Sequence, residues 1–135
     1  MLNRLNRKIV VLAGVCLVFV AGWVMGQQSA RNEKTIMHSV AWTAKADASD
    51  AVLAQFNQAT ADFAAGVPGL QRAWVGKLRQ PLKVGDSTHS HGLIFEFSDI
   101  QSREAYSQHP TRPAWIEGFG EVREGRPVVY DVIGE

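Results

Sequence analysis

The chain has one cysteine among its 135 residues. Cys16 lies inside an apolar run, so the rest of the protein has no disulfide and no thiolate chemistry. Basic residues never cluster into a stripe, which excludes the concentrated positive charge that nucleic-acid binding needs. Low-complexity tracts are missing as well, and 46% of the residues are hydrophobic, so a packed core is expected rather than disorder. After Met25 no long uncharged apolar run recurs. Histidines number only four and tyrosines two. Candidate acid–base chemistry therefore rests on very few side chains.

What is present divides in two. Ile9 to Met25 is an uncharged apolar run preceded by Arg4, Arg7 and Lys8. At about 1.5 Å per residue it is near the lower limit for crossing a bilayer core of roughly 30 Å. It is also near the upper length of a signal-peptide core. Residues 1–26 are expected to be a membrane anchor or a cleaved signal, with Val24-Met25-Gly26 as the candidate cleavage region. The basic flank stays in the cytoplasm, which places the remainder on the exported side, periplasmic or at the cell surface. Residues 27–34 read as a linker. Without the three basic residues of the flank, 11 Lys and Arg stand against 13 Asp and Glu, about −2 for the body.

From Thr35 the pattern is that of a folded domain ending near Ile133. Ile36, His38, Val40 and Trp42 alternate with Met37, Ser39 and Ala41, which predicts a strand. Asp47 or Ser49 can cap a helix carrying Leu53, Phe56, Thr60, Phe63 and Val67 at helical spacing. Gly66 and Pro68-Gly69 stop it. Leu70–Leu78 reads as a strand and Arg79–Thr88 as a polar loop. His89–Phe97 reads as a third strand, with His89, His91, Leu93, Phe95 and Phe97 on one face. Ser98 with Gln101 forms a capping-box pattern for a short helix ending near Gln108. Thr111 and Pro113 open another helix with Trp115, Ile116, Phe119 and Val122 as its buried stripe, ended by Gly125. Arg126–Ile133 is the last strand. The order β-α-β-β-α-α-β is the split βαβ pattern of a ferredoxin-like α+β domain. Helices on one side leave the other sheet face open, and a second copy is its expected cover.

Several segments together resemble the stress-responsive α/β barrel (Dabb) family. They are Ile36-Met37-His38-Ser39-Val40, Val67-Pro68-Gly69-Leu70, and His91 followed by Phe95-Glu96-Phe97. The others are Ala105-Tyr106-Ser107-Gln108-His109-Pro110 and Val128-Val129-Tyr130-Asp131. The resemblance implies a homodimeric barrel with a pocket between sheet and helices in each subunit, no cofactor, and for most members no established activity. One plant branch closes polyketide chains using a tyrosine and a histidine one turn past the "HP", helped by strand histidines. By that resemblance His38, His91 and Tyr106 are the catalytic candidates, and His109 and Arg112 join them as pocket candidates. Arg112 stands where the cyclases have their second histidine. Arginine stays protonated and cannot act as a general base near neutrality.

The plainer readings stand beside these. His38 and His91 share the apolar parity of their strands, so both rings could enter one cavity, or both could be core histidines satisfied by Tyr106 or a carbonyl. Tyr106 and His109, three apart, could form a hydrogen-bonding pair or simply pack a turn. His89, His91 and His38 are the only candidate metal ligands, with no cysteine or like-facing acid to complete a set. Trp42, Trp74 and Trp115 fit core and interface roles. The sequence favours a small-molecule-binding or structural homodimer for an apolar or aromatic ligand. The alternatives are a cofactor-independent cyclase, isomerase or monooxygenase-like enzyme using His91 and Tyr106, and a metal-binding protein.

Overall fold

A computed structural model describes residues 34–134. The apolar run and all but the last residue of the linker lie outside the described residues. Strand β1 spans Ile36–Ala44 and helix α1 Asp50–Ala65. Ser49 caps α1, its Oγ accepting from the Val52 amide at 3.3 Å. Asp50 complements the positive end of the helix. The hairpin strands are β2 (Leu70–Val84) and β3 (Ser87–Phe97); α2 (Ile100–Tyr106), α3 (Arg112–Val122) and β4 (Arg123–Ile133) follow.

The sheet runs β2-β3-β1-β4 with every neighbouring pair antiparallel. This is the ferredoxin-like order that the element pattern implies. Residues paired across a ladder share a face. The registers therefore put Ile36, His38, Val40 and Trp42 beside Phe97, Phe95, Leu93 and His91, on the side the helices cover. The opposite side has no helix. Across it run Trp74, Ile94, Ser39 and Tyr130, one residue from each strand.

Aromatic rings hold the helices to the sheet. Phe63 stacks on Trp115 at 5.0 Å and Phe56 on Phe119 at 5.5 Å, which joins α1 to α3. Trp42, fully buried, meets Phe56 and Phe119 edge-on. Trp115 Nε1 donates to Thr60 Oγ1 at 3.0 Å, so the one polar side chain in the α1 stripe has a partner.

Five sequence expectations are corrected. Arg79–Thr88 is not a loop: β2 continues to Val84, and Gly85-Asp86 alone makes the turn. Gly85, with φ 58°, supplies the positive φ that a two-residue hairpin turn needs at its first central position. The arm is an exposed edge strand, so its side chains carry no burial pattern. Pro81 fits inside the register shift between Lys77 and Leu82. The cap of α2 is Asp99 rather than Ser98; its Oδ1 accepts from the Ser102 amide at 2.7 Å. That helix also ends at Tyr106. Finally, α3 stops at Val122 because Arg123 and Glu124 already pair with Ala44 and Thr43 of β1, leaving Gly125 inside β4. Ile116, expected in the buried stripe, is 36% exposed.

Candidate functional site

A cavity of about 260 Å³ opens where α2 and α3 lie over β1 and β4. His38, Val40 and Val129 come from the sheet, Arg103 and Tyr106 from α2, and Arg112, Trp115, Ile116 and Phe119 from α3. Arg123 and Pro127, from the start of β4, close the remaining side. Local folding explains each placement. Alternation along β1 sends His38 and Val40 to the helix side. Arg103 and Tyr106, three apart in α2, share one helix face. Ile116 escapes burial because its neighbour is this cavity rather than the core.

His38 is buried, and its Nδ1 lies 2.6 Å from Asp131 Oδ1. The two are directly paired across the β1–β4 ladder. A carboxylate only accepts, so the neutral imidazole carries its proton on Nδ1, donates it to Asp131, and keeps its lone pair on Nε2. Burial pushes the His38 pKa below its ordinary 6.5; the Asp131 hydrogen bond works the other way, and the charges of Arg103 and Arg112 reinforce the lowering. Burial opposes the charge on Asp131, but the hydrogen bond from His38 and the nearby Arg103 outweigh it, and the carboxyl is held below its ordinary value. Arg103 Nε stands 3.1 Å from Asp131 Oδ2, an ion pair too bent to count as a hydrogen bond.

Tyr106 is 2% exposed, with its ring 5.7 Å from that of His38. The guanidinium groups of Arg103 and Arg112 lie over the Tyr106 ring at 5.4 and 5.0 Å. Arg123 lies over Phe119 at 4.8 Å. Arginines stacked on rings keep their charge and their donors.

Of the sequence candidates, His38, Tyr106 and Arg112 meet at this cavity. His91 does not. It shares their side of the sheet, but it pairs with Trp42, four positions along β1 from His38, about 13 Å at roughly 3.3 Å per residue. There it packs on Trp42 with ring centroids 4.8 Å apart. Burial, then the charge of Lys77, lowers its pKa. His109 also lies outside the cavity, in a separate groove with Phe63 and Trp115, where its Nδ1 is 2.9 Å from Thr111 Oγ1. His89 is buried against Thr43, with Nδ1 3.3 Å from its hydroxyl. Among the described residues no three His, Cys, Asp or Glu side chains gather as a metal site would require.

Three residues at the site were not singled out from sequence: Asp131, Arg103 and Arg123. Asp131 had a detectable signal, being an acid between Val129 and Ile133 on the helix-facing parity of the last strand. Its partner, however, becomes visible only through the β1–β4 register.

Residues 36–133 match the family described as Stress responsive A/B Barrel Domain. No curated protein matches the chain. Solved structures share its fold. A hydroxynitrile lyase from Passiflora edulis is 15% identical, with TM-score 0.64, over 76% of this chain and 95% of that one. A Dabb family protein from Mesorhizobium loti is 19% identical, with TM-score 0.59, over 76% and 98%. A dimeric ferredoxin-like protein of unknown function from Jannaschia is 20% identical, with TM-score 0.59, over 73% and 97%.

Proposed function

The chain belongs to the stress responsive A/B barrel domain family, and we propose that it is a homodimer binding a small, largely apolar or aromatic molecule. The binding site is the cavity between α2, α3 and the sheet. One observation carries this reading: aromatic and aliphatic walls (Val40, Trp115, Phe119) enclose a space in which a few polar groups, His38 and the arginines, converge. The dimer is supported by the uncovered sheet face with exposed Trp74, Tyr130 and Val132, and by the dimeric ferredoxin-like relative. Export is supported by the basic flank before Ile9–Met25. Placement of the domain outside the cytoplasm is tested by a reporter enzyme active only there, fused after Glu135; an inactive fusion present at normal abundance contradicts it.

Titration of the full chain with 4-ethylphenol tests the cavity. Trp115 fluorescence should change saturably, and Ile116→Trp, which fills the space from a half-open position, should abolish binding while leaving the far-ultraviolet spectrum intact. Undiminished binding by that variant would place the ligand elsewhere.

A second reading, a cofactor-independent enzyme, is favoured by the His38–Asp131 pair. Asp131 fixes the Nδ1 proton and stabilises an imidazolium, so Nε2 is the base available to a bound ligand. Arg112 can stabilise a developing enolate or alkoxide. This chemistry uses His38 and Asp131 with Tyr106, and leaves out His91. Retention of full turnover of a processed substrate by His38→Gln would exclude it.

A further inference from the structure

We infer that the ligand of this cavity is an organic anion, a single-ring apolar body carrying a carboxylate, with the carboxylate held by Arg112 and Arg123. This rests on the cavity being a binding site and specifies what it takes.

The charge around the cavity is unbalanced. Three guanidinium groups line it, from Arg103, Arg112 and Arg123. Asp131 answers one of them, Arg103. Among the described residues, neither Arg112 nor Arg123 forms an ion pair. Each has a buried Nε without a hydrogen-bond partner. Both are held instead over rings, Arg112 over Tyr106 and Arg123 over Phe119. A ring face attracts a cation but accepts none of its five in-plane donors well, so the forks remain available to an acceptor. Guanidinium does not deprotonate in proteins, so this charge persists at every working pH. Burial and the neighbouring arginines keep His38 from protonating, and so from adding to that charge near neutrality. The cavity therefore carries two positive charges with no protein counter-charge.

The remaining walls exclude a purely inorganic ligand as the best fit. Val40, Ile116, Trp115 and Phe119 offer apolar surface that phosphate would leave dry and unused. A volume of about 260 Å³ falls just below the roughly 300–1,000 Å³ of sites for drug-sized ligands, which limits the body to about one ring. A carboxylate matches the planar fork of arginine, and the ring matches the aromatic wall.

The test titrates the full chain with cinnamate, with its uncharged isostere cinnamamide, and with inorganic phosphate, by calorimetry and tryptophan fluorescence. Cinnamate should bind at least about ten-fold more tightly than cinnamamide. Arg112→Gln and Arg123→Gln should each reduce that ratio several-fold while moving cinnamamide affinity by less than about two-fold. Arg112→Lys, which keeps the charge and loses the fork, should retain part of the preference. Because the ratio is internal to each variant, partial loss of folded protein does not mimic the effect. Equal or tighter binding of cinnamamide overturns the anion inference and leaves the cavity reading standing. Tighter binding of phosphate than of cinnamate overturns it in favour of an inorganic anion site. If neither aromatic probe binds and 4-ethylphenol also fails, both readings fall.

Discussion

His38 shows how much one residue depends on its neighbours. Its pKa is lowered by burial, so the folded protein resists a proton that the unfolded chain accepts near pH 6.5. Stability is then complete above that pH and falls as the pH drops below it, levelling off only under the folded-state pKa. His91, lowered the same way, adds a slope of the same sign. Asp131, held low, contributes stability that disappears only in a more acidic window, below its ordinary 3.8. Urea denaturation between pH 7.5 and 5 should show declining stability, and His38→Gln should flatten part of the decline. An unchanged slope in that variant contradicts the burial argument. Gly69 depends on its neighbours as closely. Its φ of 77° disfavours any side chain, and an added Cβ would meet the Ser102 hydroxyl at 2.1 Å. Gly69→Ala should destabilise by about 2–3 kcal/mol in equilibrium unfolding. Adding Ser102→Gly should restore part of that loss, the part due to contact rather than to φ. Gly69 was legible as a turn glycine after Pro68, but the approach of α2 was not, because it is a tertiary contact.

At the scale of elements, legibility followed burial. The α1 stripe and the strand alternations of β1 and β3 were readable because each faces the core, where hydrophobic spacing records the geometry. The extension of β2 was not. Residues 79–84 are exposed, mixing Arg79, Gln80 and Lys83 with Pro81, Leu82 and Val84, and only backbone pairing with β3 makes them a strand. The end of α3 is hidden for a related reason, since strand pairing with β1 competes with the helix after Val122 and leaves no local signal. Cross-element bonds are equally hidden. Thr60 read simply as a member of a helical stripe, yet it accepts the Trp115 indole proton inside the core. Thr60→Val, close in shape, should cost about 1–3 kcal/mol in thermal or denaturant unfolding by leaving that donor unpaired. A neutral result would mean that the bond contributes nothing net.

At the scale of the whole molecule, the feature that matters is the sheet side without helices. Trp74, Tyr130 and Val132 are exposed there in a single protomer, and the row next to Trp74 and Tyr130 has small residues on three strands, Gly76, Gly92 and Ala41, with Leu78 packed over Gly92. Such an apolar face suits a second sheet, and a stable pairing covers about 800 Å² per partner. Light scattering of the full chain should report a dimer, and Trp74→Lys with Tyr130→Lys should shift it toward monomer without loss of secondary structure. A dimer formed through the helix-free side would leave the helix-side cavity of each protomer uncovered, so variants on the two sides of the sheet should affect assembly and ligand binding separately. The binding side is tested most directly by the His38 imidazole resonance, followed through pH with and without saturating cinnamate. The carboxylate stays charged across pH 5–8. An anion held by Arg112 and Arg123 therefore offsets the positive charges facing His38, from Arg103 as well as Arg112, while Asp131 remains its hydrogen-bond partner. The His38 pKa should rise on binding, and cinnamate should accordingly bind more tightly as the pH falls. A His38 titration unmoved by saturating cinnamate would contradict an anion-binding site in this cavity.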